Sequence, residues 1–381
     1  MSHHKPHIIF VSHASGLCGA ERSLLDLIKG IKGFTCTVLV PNRGPFVDVL
    51  LANNIPYKIV KYHAWVGRKH KPLQAVYRMF CNIYIAYQTA KFFRAHTVKA
   101  VYVNASTSPF GALLARWLKT PCVWHVREWI TSFDFGMKRS LGFIQKNASM
   151  VVVNSEALRL QMASIIDAEN ITVVHNGPIG WAQMTDFQML QKDSPSPQFV
   201  SLCVVGTIYP NKGFEDAVGA LGSLVAQGLE VKLDILGDGK VSDVEQLKLL
   251  AKEQGVEGNI IWHGFVKEPL DILRAAHICL ICSREEAFGR VAVEAMSVGT
   301  PVISTRVGGL VEIIQDKETG LFYEPRDIQT LASHIKYLAN HPDVYRDIQK
   351  KGIEKVFHNF TTEQYQHRMK NVLSQVLQSE L

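Results

Sequence analysis

No run of apolar residues in this 381-residue sequence reaches the ~18–20 needed to cross a bilayer as a helix. Cysteine is sparse: seven residues, scattered at positions 18, 36, 81, 122, 203, 279 and 282. An odd, dispersed set excludes a disulfide framework and suits reduced thiols. Cys279 and Cys282 make a C-x-x-C inside "HICLICS", but that stretch reads as a buried strand with no second ligand pair, so neither a zinc nor a redox role is expected. No short-period repeat and no low-complexity tract interrupts the chain. Acid is also missing where base is plentiful: residues 49–127 hold no Asp or Glu and 12 Lys and Arg. Such a block attracts anions, whether a membrane surface, nucleic acid or a phosphorylated substrate. No nucleic-acid recognition motif accompanies the charge, so a nucleic-acid partner is not expected.

What is present describes an ordinary globular protein, with 47% hydrophobic and 20% charged residues. This length can bury two cores, so two domains are the default. The charge is unevenly shared. Residues 1–180 carry 21 Lys and Arg against 8 Asp and Glu, whereas residues 181–381 carry 20 against 26. The start, "MSHHKPHIIFVSHASG", runs directly into a strand-like segment, and a cytoplasmic protein is expected. His3, His4 and His7 could chelate a metal; a solvated polar start is the plainer reading.

Strand-like and helix-like runs alternate throughout. "HIIFVS", "TCTVLV", "KAVYVN", "PCVWHV", "SMVVVN" and "ITVVHN" are short, mostly β-branched runs separated by helical stretches such as "GAERSLLDLIKGI". Continuously apolar strands between helices indicate a parallel sheet covered on both faces, hence a doubly wound α/β domain over residues 1–185. Residues 186–198, "DFQMLQKDSPSPQ", lack periodicity and read as a linker. The alternation restarts with "FVSLCVVG", "EVKLDILG", "NIIWHG", "HICLICS" and "TPVIST", which predicts a second domain of the same kind over 199–360. Residues 361–381 read as a final helix that could pack back on the first domain. Ligands of such sheets bind beyond the carboxyl ends of the strands, so two facing domains are expected to line a cleft with those loops.

Several strand ends carry candidate chemistry. In "SHASGLCGAERS", Gly16 and Gly19 would let a phosphate approach the backbone at a helix start; the spacing is not G-x-G-x-x-G, and a plain strand-to-helix turn fits equally. In "VVGTIYPNKGFEDA", Lys212 before Gly213 would bring a point charge to a second phosphate site, or is a solvated lysine at a helix start. In "SREEAFGRVAVEAMSVGTPVI", Glu286 falls on the strand-end loop and Glu294 in the second turn of the next helix. The amides of Phe288, Gly289 and Arg290 would crown that helix and favour an anion. Acids beside a phosphate site make sense as acceptors for sugar hydroxyls; the alternative is a helix cap and a surface charge. Near the end of the strand in "VWHVREW", His125 could bring an imidazole to a cleft ligand or serve the structure alone, and Asn176 and Gly177 end "VVHNG". The aromatic, basic stretch 66–96 reads as a long helix, either lying on an anionic bilayer or packed in a core with a solvated basic face.

These motifs together resemble the retaining glycosyltransferases of family 4, which have the GT-B fold: two Rossmann-like domains facing across a cleft. "EEAFGRVAVEAMSVGTPVISTRVGGLVEIIQDKETGLFYEP" is similar to the family's signature of two glutamates with seven residues between them. "GTIYPNKG", "CGAER" and "VVHNG" resemble its other fingerprints, so the resemblance covers nearly the whole chain. It implies a nucleotide-diphospho-sugar donor and a glycan or lipid-linked acceptor, in cell-surface polysaccharide or glycolipid synthesis at the cytoplasmic membrane face. By that resemblance Glu294 holds the nucleotide ribose, and Lys212 with the Gly19 loop holds the diphosphate. Glu286 and the Phe288–Gly289 backbone hold the donor sugar, and His125 lies near sugar and acceptor. No cofactor or metal is implied, and the sequence has no Asp-x-Asp, the usual metal site of the other large glycosyltransferase fold. Two positions depart from the pattern: Thr207 stands where the family has a phosphate-binding arginine, and Cys18 where it has a glycine. Arg290 or Arg22 would then assist Lys212. A nucleotide-sugar epimerase of the same fold would need acid/base residues on the sugar ring and no acceptor. A phosphorylase would need a pyridoxal lysine and a longer chain. A scaffold that had lost donor binding would show no stabilisation by nucleotide diphosphates.

Overall fold

Short runs dominated by Val, Ile and Leu become parallel strands because both of their faces must be covered, and helices between them supply the cover. The computed structural model describes residues 5–64, 72–130, 135–184, 194–196 and 198–378. The chain divides into two compact units: residues 1–177 with 362–381, and residues 178–361.

The first unit runs β1 (His7–Ser12), α1 (Gly19–Gly30), β2 (Thr35–Val40), α2 (Pro45–Ala52), β3 (Tyr57–Ile59), α3 (Pro72–Phe93), β4 (Val98–Asn104), α4 (Phe110–Leu118), β5 (Cys122–Val126), α5 (Phe135–Asn147), β6 (Met150–Val153), α6 (Glu156–Met162) and β7 (Ile171–Val173). Among the described residues its seven strands are all parallel, in the order β3-β2-β1-β4-β5-β6-β7. The order reverses between β1 and β4. A crevice opens beyond the carboxyl ends of two such strands because their connections leave in opposite directions.

The second unit runs β8 (Phe199–Val205), α7 (Phe214–Ala226), β9 (Glu230–Leu236), α8 (Val241–Glu253), β10 (Ile260–Gly264), α9 (Leu270–Ala275), β11 (Ile278–Ile281), α10 (Arg290–Ser297), β12 (Val302–Thr305), α11 (Leu310–Ile313), β13 (Leu321–Tyr323), α12 (Ile328–Asn340) and α13 (Pro342–Asn359). Its six strands are again parallel, ordered β10-β9-β8-β11-β12-β13, and the reversal lies between β8 and β11. One hydrophobic cluster covers each face of this sheet: Leu202, Val204 and Leu233 with α7 and α12, and Cys203, Cys279 and Ile281 with α10 and α13. Cys279 and Cys282 are buried free thiols, as a buried strand requires.

The last helix, α14 (Thr362–Gln378), belongs to the first unit. Tyr365, Met369, Val372, Leu373 and Val376 join the cluster that covers β1, β2 and β4. Most of the linker expected at 186–198 (residues 186–193 and 197) lies outside the described residues, as do His3, His4 and the basic residues 66–71.

Candidate functional site

The loops that follow β8 and β11 meet at the strand-order reversal of the second unit. Gly206, with φ +151°, follows the end of β8, and exposed Thr207 comes next. A short 3-10 turn, Pro210–Lys212, then leads to Gly213 at φ +64°. A Cβ on Gly213 would sit 2.0 Å from the Cys282 carbonyl oxygen, so only glycine lets this loop close against the end of β11. The closure brings Lys212 Nζ to 2.5 Å from Glu286 Oε2. Burial opposes the lysine's charge, the Glu286 carboxylate outweighs it, and the pKa of Lys212 is raised. Two more links cross the same junction: Arg284 N donates to the Asn211 carbonyl at 2.7 Å, and Asn211 Nδ2 to Glu285 Oε2 at 3.1 Å.

The loop from Glu286 to Gly289 is held from the other side by the turn after β12. Gly309 N donates to the Glu286 carbonyl at 3.0 Å, and a Cβ on Gly308 would lie 1.9 Å from the same oxygen. Gly289, φ +108°, caps α10, and the Phe288 ring is buried in the core against Phe360, so of Phe288 only the backbone serves the loop. Arg290 Nε lies 2.8 Å from Glu294 Oε1, one helical turn on. Arg290 is thus engaged with Glu294.

Sequence reading missed the support beneath this site. Arg284 forks onto Asp216, which is almost wholly buried at the start of α7, with NH2 donating to Oδ1 at 2.7 Å. The same carboxylate accepts from Tyr323 OH at 3.2 Å and Arg326 N at 3.0 Å, tying α7, the β11 loop and β13 together. The signal was there in "FEDA" and "SREE": an acid at a helix start and an arginine ahead of two acids.

The first unit gathers polar groups at its own reversal. Glu21, 1% exposed, lies 3.1 Å from His13 Nδ1. Burial lowers the pKa of His13, but the Glu21 carboxylate prevails and the pKa is raised. Ala105, just after β4, has φ +94°, a strained value for a non-glycine residue; its amide donates to the His125 carbonyl and its carbonyl accepts from Trp124 Nε1, which holds it there. His125 is completely buried, because β5 is a central strand. Its Nδ1 is 2.5 Å from Tyr102 OH, and Nε2 has no hydrogen-bond partner among the described residues. Burial and the nearby Arg127 hold its pKa well below the ordinary 6.5, so the ring is neutral. Arg127 spreads four hydrogen bonds over Asn104, Asn176, Tyr102 and Tyr365. Of the sequence candidates here, His125 and Asn176 come together through this guanidinium and Tyr102. Gly16 and exposed Gly19 lie on the loop at the start of α1; a Cβ on Gly19 would meet nothing within 4 Å.

Two family models match successive parts of the chain: "Glycosyl transferase 4-like domain" over residues 19–177 and "Glycosyl transferases group 1" over residues 186–355. The chain belongs to the family 4 type of glycosyltransferases. Its two parallel-sheet domains are the GT-B fold: the structure of Anabaena HepE in complex with UDP-glucose superposes with a TM-score of 0.80 over 97% of this chain and 99% of that one, at 20% identity. Sucrose-phosphate synthase from Thermosynechococcus elongatus gives 0.72 over 98% and 100%, at 19% identity. Among curated sequences, the glycosyltransferase CapM of capsular polysaccharide biosynthesis in Staphylococcus aureus is 24% identical over 57% of this chain and 59% of its own. N-acetyl-alpha-D-glucosaminyl L-malate synthase of Bacillus anthracis is 28% identical over 44% of each. The chain therefore spans about half the length of the curated relatives it matches.

Proposed function

We propose that this glycosyltransferase-family chain transfers a sugar, with retention, from a nucleotide-diphospho-sugar to a glycan or lipid-linked acceptor of a cell-surface polymer at the cytoplasmic face of the membrane, without a metal. The observation that carries the reading is the pair of ion pairs, Lys212–Glu286 and Arg290–Glu294, flanking a glycine-capped helix start at the strand-order reversal of the second unit. Each acid already neutralises a base, so anionic phosphate can enter beside the acids without net repulsion.

Lys212 has further N–H donors for the departing diphosphate while Glu286 accepts hydrogen bonds from donor-sugar hydroxyls. Glu294 takes the ribose hydroxyls, and the Phe288–Gly289 backbone lines the space between them. The acceptor oxygen forms its bond to the anomeric carbon on the face from which the phosphate oxygen leaves. Its proton passes to that phosphate, and fixed positive groups stabilise the charge that develops there. His125 enters this reading as a neutral, wholly buried ring beside Tyr102, so its influence on the sugar and acceptor passes through the groups packed around it. The UDP-glucose bound in the HepE structure supports UDP-sugars as the first donors to try, and the capsular polysaccharide role named for CapM supports a surface polysaccharide as the first acceptor.

The test is thermal stabilisation by UDP, GDP and ADP and their sugar conjugates in the presence of a chelator. A ligand at 100 times its Kd adds about 2.7 kcal/mol. One nucleotide should raise the melting temperature, and Glu294→Ala should abolish the shift. No shift with any of them sinks the reading and leaves a scaffold of the same fold.

A further inference from the structure

Helix α3 is built inside out. Its core side is Asn82, Ala86, Thr89, Ala90 and Phe93, whereas Val76, Tyr77, Phe80, Ile83, Tyr84 and Tyr87 face solvent. At 3.6 residues per turn these six fall within an arc of roughly 120°, a stripe about 16 Å long. Tyr77 and Phe80 are each 68% exposed and Tyr84 64%. Trp117 of α4, 48% exposed, extends the patch, with its ring 5.0 Å from that of Tyr87. Phe93 apart, the side chains turned inward are small or polar, and the aromatic ones turned outward form a contiguous apolar patch of the kind that marks an interaction site.

The charges name the partner. Lys91 and Arg94 lie on the same arc, one to two turns beyond Tyr87, and both are exposed. Lys58 Nζ sits 3.7 Å from the centre of the Phe92 ring, and Arg116 and Lys119 flank Trp117. The sequence offers no carboxylate from residue 49 to 127 to balance them. A second copy of this chain would bring like charges together across the patch. Anionic lipid headgroups complement both features: tyrosine and tryptophan rings settle at the headgroup level, and each nearby cation adds to the attraction. Among the described residues no helix is long and apolar enough to cross a membrane, so the face would lie on the bilayer.

We propose that the α3–α4 face of the first unit seats on an anionic phospholipid surface, with Tyr77, Phe80, Tyr84 and Trp117 entering the headgroup layer and Lys91 and Arg94 meeting its charge. This docking stands independently of the transfer chemistry, because none of these residues belongs to either strand-end site.

The test is co-sedimentation of the full chain with phosphatidylcholine vesicles, with and without phosphatidylglycerol, at low and high salt. Binding should rise about tenfold or more with phosphatidylglycerol and fall with salt. Tyr77→Ser/Phe80→Ser/Tyr84→Ser should lose about tenfold while the melting temperature holds, since these rings pack on no core. Lys91→Glu/Arg94→Glu should remove the preference for anionic vesicles, and provides the reading should the triple variant fail to fold. No binding to anionic vesicles, or equal binding by wild type and both variants, overturns the proposal. So does a dimer in light scattering that the aromatic variant dissolves, which would assign the face to a second copy.

Discussion

A methyl group on Gly213 would sit 2.0 Å from the Cys282 carbonyl oxygen, whereas one on Gly19 would meet nothing within 4 Å. The two glycines therefore answer to different demands. Gly213 also holds φ +64°, so Gly213→Ala combines backbone strain with a collision and should destabilise the second unit by roughly 2 kcal/mol or more, read as a lowered melting temperature. Gly19→Ala should leave the melting temperature unchanged. If a diphosphate approaches the backbone at the start of α1, the same change should weaken nucleotide affinity in titration calorimetry; unchanged affinity would remove Gly19 from the donor site. Both residues stood out in the sequence as glycines at helix starts. Which one is bound by packing and which by a ligand was illegible there, because the answer depends on a carbonyl 69 residues away in one case and on empty space in the other.

Strand β5 shows what an element imposes on a residue. "PCVWHV" reads as a strand whose last residues should reach a ligand, and the strand is there, with His125 one residue from its end, but as a central strand it is covered on both faces. His125 consequently titrates well below 6.5 in the folded protein. Between those two values the unfolded chain binds the extra proton, so stability rises with pH there and is lost as pH falls from about 6.5. His13, with a raised pKa, acts in the opposite sense: its contribution is present below 6.5 and fades as pH rises through the folded value. Melting curves from pH 7 down to pH 5 should show unit 1 losing stability, and His125→Asn should flatten that loss; an unaltered slope would place the acid sensitivity elsewhere. Elements the sequence hid were short ones: β3 and β13 have three residues each, too brief for periodicity to register, whereas the equally short β7 stood out because its β-branched run continues to Val174. Helix α3 was legible as a helix. Its facing was not, because an element apolar nearly all round carries no phase of its own, and its neighbours choose the side that is buried.

At the scale of the molecule, the chain leaves the first unit at residue 177, builds the second, and returns at Thr362. Helix α14 closes the first unit rather than decorating it. Its five buried apolar side chains complete a core, Gln366 Nε2 donates to the Asp26 carbonyl at 2.7 Å, and Tyr365 OH accepts from Arg127 at 2.7 Å. Burial of this kind is worth about 1.5–3 kcal/mol per side chain, comparable in sum with the whole stability of a domain. Ending the chain at residue 361 should therefore unfold the first unit while the second keeps its own sheet. Hydrogen exchange should show β1, β4 and β5 losing protection and β8, β9 and β11 retaining it; loss in both units would mean they fold as one cooperative body.

Local order was in the sequence itself: uninterrupted apolar runs spaced by amphipathic ones make parallel strands and helices, and the paired glutamates, the lysine-glycine turn and the acid-free block are readable at any position along a line. These signals survive because periodicity and motif spacing involve neighbours only a few residues apart. The tertiary structure alone decided the meetings. Lys212 finds Glu286 across 74 residues, Arg127 finds Tyr365 across 238, and the aromatic side of α3 faces outward. Each of these depends on which strand lies beside which and on which face a neighbour covers, and those are properties of packing in three dimensions that no interval along the chain encodes.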